Sequence, residues 1–234
     1  MRIGILMANT DESAFSEAHP KDGEKWRSVL SPLCPACDFP VYAVKDGQFP
    51  EHVAGHDGFV ITGSPASVND LAPWLDRLFR LIREAVAAGV PLFGACFGHQ
   101  AIALALGGAV KDNPNGWVFG TTETQVTAAP PWMDAGPVRQ YAAHIEQVTR
   151  LPDGAEVIMG NLDCPVGGFV IGKGVFTTQY HPEMTHEFVS ALIEEYAAKL
   201  PADVARAARG SLAETAQNAA FAGWIMAFFR QARS

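Results

Sequence analysis

Cys96 lies in the run Val90-Pro91-Leu92-Phe93-Gly94-Ala95-Cys96-Phe97-Gly98-His99-Gln100, an apolar strand that breaks at a small-residue turn and resumes as a helix. A sharp strand-to-helix turn needs flanking residues without a Cβ, and Gly94 and Gly98 supply them. The turn sets a thiol at a helix start. Amides of the first helical turn there favour a thiolate and offer donors to an oxyanion formed on attack. A free cysteine is more often a small buried hydrophobe. The Gly-x-Cys-x-Gly frame, together with a distant histidine that has an acidic neighbour, turns the reading toward a nucleophile.

That histidine is His181. Residues 175–180, Val-Phe-Thr-Thr-Gln-Tyr, read as a β-strand running into His181-Pro182-Glu183. In an extended segment residues two apart project to one side, so Glu183 is expected to hold one imidazole nitrogen while the other faces the thiol. Pro182 keeps the segment out of a helix. Alone, the pair would read as an exposed histidine at a strand end and a glutamate opening the next helix. A third piece, Gly58-Phe59-Val60-Ile61-Thr62-Gly63-Ser64-Pro65, is a short strand ending in a turn. Gly63 would let a substrate carbonyl approach, and the backbone amides of Ser64 and Phe97 are the candidate oxyanion donors. The carboxyl ends of parallel strands share one sheet edge, where all three pieces are expected to meet.

Together these pieces resemble the class I glutamine amidotransferases. The family patterns Gly-Gly-Pro, Gly-x-Cys-x-Gly-x-Gln and His-Pro-Glu fall on Gly63-Ser64-Pro65, Gly94 to Gln100 and His181 to Glu183, in that order. The likeness spans about residues 1 to 197. It implies a flavodoxin-like three-layer α/β/α fold with a mostly parallel central sheet, and a Cys96-His181-Glu183 triad that releases ammonia from glutamine through a γ-glutamyl thioester. By the same likeness Gln100 contacts bound glutamine, and residues 141–146, Tyr-Ala-Ala-His-Ile-Glu, form a substrate loop that includes Ala143 and His144. Neither a metal nor a cofactor is implied. Two departures stand out: Ser64 replaces a frequent second glycine, and Ala143 sits where the family often has serine. A role for His144 as a second base is disfavoured against loop shaping. Within the family, the likeness is to stand-alone proteins similar to the glutaminase part of GMP synthase.

Strand and helix patterns alternate along the chain, as a parallel sheet with crossover helices requires. Residues 74–88 show it best: Leu75, Leu78, Phe79, Ile82 and Val86 recur at helical spacing, Asp76, Arg77, Arg80 and Arg83 take the other side, and Gly89 follows. Residues 113–117 form a turn-rich connection in which Trp117 is expected to pack rather than line the site. Residues 167–175 look like a hairpin leading to His181. With 234 residues, 48% of them hydrophobic, the chain can bury a sizeable core. Its net charge of −8, without clustered Lys and Arg, argues against a nucleic-acid surface. No apolar run suggests a membrane span, and residues 1–7 read as a first strand rather than a leader, which points to the cytoplasm.

Cys34 and Cys37 have knuckle spacing but no second pair, so a Pro-tightened loop is favoured over metal or redox chemistry. A cytosolic setting would leave all four cysteines, Cys164 included, reduced. Residues 1–200 are read as the amidotransferase domain and 201–234 as a helical extension, with Pro201 at the break. Trp224, Ile225, Phe228 and Phe229 make an apolar face to pack on the body, on a second copy in a homodimer, or on a synthetase subunit. Three rival functions remain: a γ-glutamyl peptidase with the same triad, a silent binding module, and a Cys-dependent α/β-hydrolase. In the last the acid normally precedes the histidine, whereas Glu183 follows His181.

Overall fold

The computed structural model describes residues 1–232. Its strands are β1 (Ile3–Met7), β2 (Val41–Ala43), β3 (Gly58–Ile61), β4 (Leu92–Ala95), β5 (Ala109–Asp112), β6 (Val118–Val126), β7 (Gly136–His144), β8 (Glu146–Arg150), β9 (Ala155–Gly160), β10 (Gly168–Ile171) and β11 (Val175–Thr178). Nine of them form one sheet in the order β2-β1-β3-β4-β11-β10-β9-β6-β7, while β5 pairs with β8. Strands β2, β1, β3, β4 and β11 run parallel. From β10 onward the neighbours are antiparallel, beginning with the expected β10–β11 hairpin.

The central parallel strands β3 and β4 are apolar and buried along their length because both of their faces are covered. Phe59, Ile61, Leu92 and Val175 face one core, together with α3 (Pro73–Ala87) and α4 (Phe97–Ala105). The alternate residues Val60, Phe93 and Phe176 face a second core with α2 (Asp22–Leu30) and α7 (Asn218–Gln231). This makes the three-layer α/β/α, flavodoxin-like arrangement of a class I glutaminase. In α3 the buried stripe is Leu75, Leu78, Leu81, Ile82 and Ala85. Val86, expected on that stripe, is instead exposed beside Ala85, which takes the buried place in the last turn of the helix.

The last two long helices are built into the body. Helix α6 (Ala202–Ser211) lies on β6, where a Cβ at Gly120 would collide with Ser211 and Ala208. Thr121 N donates to Ser211 Oγ at 2.8 Å, and Arg139 N to Gln217 Oε1 at 2.9 Å. Phe221, Ile225, Phe228 and Phe229 of α7 are buried, and a Cβ at Gly58 would run into the Phe229 ring. Phe176 centres an aromatic cluster, 5.0 Å from Phe93 and 5.7 Å from both Phe221 and Phe228.

The cysteine expectation needs correction. Cys34 and Cys37 form a disulfide, their Cα atoms 5.3 Å apart across a turn closed by Cys37 N donating to Cys34 O at 2.9 Å. Cys96 and Cys164 are free and buried. Burial pushes the Cys164 thiol up to about 12, a setting for packing rather than reactivity.

Two buried histidines brace the sheet. His99 of α4 pairs through Nδ1 with Thr177 Oγ1 at 2.8 Å, and His144 through Nδ1 with Glu146 O at 3.1 Å. Burial lowers the His99 pKa to about 3, and that of His144 to about 4. Both are neutral when folded but take up protons below about 6.5 when unfolded. Stability should therefore fall as pH drops from about 6.5 toward 4, with a slope approaching about 1.4 kcal/mol per pH unit per histidine, and His144→Gln should flatten that slope in urea titrations. Phe228→Ala should cost about 3–5 kcal/mol in the same assay at neutral pH. Deleting residues 201–234 should give an aggregating chain, because it uncovers the Phe93 and Phe176 face.

Candidate active site

The site starts from backbone geometry at the end of β4. Cys96 is the one described residue other than glycine with positive φ, at φ 50° and ψ −107°. Holding a side chain there costs on the order of 1–3 kcal/mol. The surroundings over-determine the turn: Cys96 N donates to Thr178 O at 2.8 Å, and Gln100 N to Cys96 O at 3.1 Å. A Cβ at Gly94 would strike the backbone of Gly98 and His99, and one at Gly98 would strike the Ile61 carbonyl. The glycine frame therefore allows β3, β4 and α4 to close around the thiol. The Phe97 ring is buried in the core, while its amide belongs to the first turn of α4, whose N–H groups have no intrahelical acceptor.

His181 arrives from the neighbouring strand. Its N–H donates to Tyr141 O at 2.9 Å, and its Nδ1 pairs with Glu183 Oε1 at 2.8 Å, with both side chains almost wholly buried. The segment is not extended as expected: β11 ends at Thr178, and Met184 N reaches back to His181 O at 3.4 Å, so the pair meets across a turn. Burial alone would disfavour an imidazolium, but the Cys96 sulfur and Glu183 carboxylate outweigh it and hold the His181 pKa well above the ordinary histidine value. Its Nε2 has no hydrogen-bond partner. His181 and Cys96 flank Gly63, where a Cβ would lie 2.9 Å from His181 Cε1 and 3.8 Å from Cys96 Cβ.

Gly63, Ser64, Cys96, Ala143, His181 and Glu183 line one cavity of about 470 Å³. Ser64 Oγ accepts from Ala66 N at 3.2 Å, which shapes the loop after β3. Ala143 reaches the cavity from strand β7, since most of the expected substrate loop is strand. His144 and Gln100 do not reach it. Gln100 Nε2 donates to Glu146 O at 2.8 Å and to Gln179 Oε1 at 3.2 Å, so its amide is committed to the interior rather than offered to a ligand. Trp117, expected only to pack, is a cavity wall.

Sequence reasoning missed Gln179. Its Nε2 donates to Cys96 Sγ at 3.7 Å, completing a buried chain from Glu146 O through Gln100 and Gln179 to the sulfur. The signal in the sequence was a glutamine two residues before His181 at the end of a strand-like run; in the structure it is fully buried and so demands partners. Also unanticipated were the walls contributed by residues 9–25 and by α5 (His186–Tyr196). Among the described residues no group of three or more His, Cys, Asp or Glu is placed to hold a metal ion.

Comparison with known proteins agrees with this geometry. The chain is 34% identical over 160 residues to GMP synthase [glutamine-hydrolyzing] of Leifsonia xyli subsp. xyli, covering 62% of the chain but 30% of that protein. It is 27% identical over 197 residues to gamma-glutamyl peptidase 3 of Arabidopsis thaliana, covering 78% of the chain and 72% of the relative. The crystal structure of a glutamine amidotransferase from Methylobacillus flagellatus superposes with a TM-score of 0.74 at 22% identity, over 98% of this chain and 94% of that one, and so shares the fold. The family description "Glutamine amidotransferase class-I" matches residues 37–195, more than half of the chain. With the elbow, the histidine–glutamate pair and the sheet that joins them, the chain belongs to the class I glutamine amidotransferase family.

Proposed function

We propose that the protein hydrolyses γ-glutamyl amides, glutamine being the simplest, with Cys96 as nucleophile, His181 as acid and base and Glu183 as its orienting carboxylate. The observation that carries this is one cavity shared by the Cys96 sulfur and a His181 imidazole fixed by Glu183, with Nε2 left unpaired. Glu183 fixes the tautomer by accepting from Nδ1–H, so Nε2 faces the reacting atoms.

In this reading the thiolate attacks the γ-carboxamide carbon, and the oxyanion accepts hydrogen bonds from the backbone amides of Ser64 and Phe97. His181 passes its Nε2 proton to the departing nitrogen as the carbon–nitrogen bond breaks. A water molecule then attacks the thioester, giving its proton to the same nitrogen, and glutamate leaves as the carbon–sulfur bond breaks. Gly63 keeps the space between sulfur and imidazole clear. Residues 1–200 would form the catalytic unit and 201–234 the helical extension that completes its core. The recipient of the ammonia would be a synthetase or acceptor subunit. Among the described residues no helix is long and apolar enough to cross a membrane. A cytoplasmic setting belongs to the same proposal, with the Cys34–Cys37 bridge as a feature uncommon there.

Mass spectrometry after incubation with glutamine should find a glutamyl adduct on Cys96, and Cys96→Ala should lose the adduct and lower turnover by on the order of 10⁴-fold. No adduct and no ammonia would sink the reading. Glu183→Gln should lower kcat/KM roughly 10²–10⁴-fold. Because Glu183 helps raise the His181 pKa, the same variant should also move the alkaline limb of the pH profile to lower pH. Gln179→Leu should leave KM unchanged and reduce kcat about tenfold, the loss of about one hydrogen bond to the reacting sulfur; an unchanged kcat would deny Gln179 a positioning role.

A further inference from the structure

The cavity is larger than an amino acid the size of glutamine needs, falling within the roughly 300–1,000 Å³ of pockets that enclose drug-sized ligands. Its added wall is aromatic. Phe15, from the short helix α1 (Ala14–Glu17), lies 5.7 Å from Phe188 of α5, and Phe119 bridges Trp117 and Tyr196 with ring separations of 6.2 and 5.6 Å. Except for buried Phe119, these rings are only half-buried where they line the cavity, and Lys25 Nζ caps one face of Phe188 at 3.6 Å. The lysines around them are already engaged. Lys25 pairs with Asp22 at 3.0 Å, Lys45 with Glu12 at 2.7 Å and Asp46 at 2.8 Å, and Lys21 Nζ donates to Ser16 O at 3.0 Å. Asp11, the remaining carboxylate of that wall, accepts from Ser13 N at 2.9 Å, so its charged groups are engaged locally and the rings are the part of the lining left to meet an apolar group.

Its position relates to the chemistry. The departing nitrogen must sit beside His181, because that imidazole protonates it. The chain that follows Glu183 enters α5, which presents Phe188, Leu192 and Tyr196 to the same cavity. A substituent on the departing nitrogen would thus meet this wall, whereas ammonia has nothing to place there.

Resting on the function proposed above, we infer that the aromatic annex is a leaving-group subsite and that the preferred substrates are γ-glutamyl amides of amines bearing an aromatic group. The balance is that of simple amide hydrolysis. The γ-carbon–nitrogen bond breaks as the carbon–sulfur bond forms, the His181 proton goes to the amine, and water replaces sulfur on the acyl carbon to give glutamate and the free arylalkylamine.

The test compares γ-glutamyl-phenethylamide with γ-glutamyl-ethylamide in the wild type and in wall variants, so that a preference lost on changing the wall reports the annex rather than the basicity of the departing amine. The phenethylamide should have a kcat/KM at least about tenfold higher, in line with apolar-pocket discrimination. Phe188→Ala and the more peripheral Phe15→Ala should each erase most of that preference while leaving ethylamide hydrolysis within about twofold, and phenethylamine should inhibit the wild type more strongly than these variants. Equal rates for the two amides, or variants that slow both alike, would overturn the subsite while ethylamide cleavage upheld the hydrolase. Failure of every amide and of glutamine to acylate Cys96 would overturn the function beneath it as well.

Discussion

Everything at the site depends on β4 and β11 lying side by side in one register. Ala95 pairs with Thr178, and each strand breaks immediately afterward, one into the Cys96 turn and the other into the turn carrying His181. The Cys96 N–H to Thr178 O bond ties the two breaks together. Two residues far apart in sequence thereby meet without a loop long enough to wander, so their approach draws on the stability of the sheet itself. A one-residue slip would reverse the faces of Phe176 and Val175 and uncouple thiol from imidazole in the same step.

The cost of this arrangement falls at two points. A strained φ at Cys96 costs on the order of 1–3 kcal/mol. Burying the His181–Glu183 pair also takes charge out of water. Both are offset by the hydrogen bonds that hold the Cys96 turn and by packing around it. Gly94 and Gly98 bring backbone against backbone, while on the opposite face Phe93 and Phe176 are clamped by Trp26 and the α7 aromatics. Helix α7, on the face opposite α4, thus holds in place the two strands that carry Cys96 and His181 at their ends.

The sequence made the parallel half legible because its strands are short apolar runs bounded by Gly, Pro and Ser, and because each motif sits at a strand end, where local geometry dictates residue type. Val90 to Gln100 could be read this way without a partner in view. The antiparallel extension was harder to see: β6 and β7 carry alternating polar residues such as Thr122 and Arg139, and residues 141–144 look like a loop until their ladder with β6 is known. Gln100 shows the limit most sharply. Its place in the motif suggested a ligand contact, but a long buried amide one turn into α4 finds whichever acceptors lie nearest, here Glu146 O and Gln179 Oε1. The Cys34–Cys37 pairing turns on a single tight turn that spacing alone does not reveal.

Reaction and selectivity are written in different parts of the chain. Cys96, His181, Glu183 and the backbone of Ser64 and Phe97 sit within the segment that matches the family, residues 37–195. Phe15, Lys25 and Tyr196 of the cavity wall fall outside it, and Phe188 is carried on α5 beyond the histidine–glutamate turn. Such wall residues can change without disturbing the β4–β11 register, because they touch the cavity and not the strand breaks. Likeness to relatives at 27–34% identity therefore bears on the strand ends more directly than on the cavity wall. The aromatic wall of the cavity is built by side chains that the shared motif does not include.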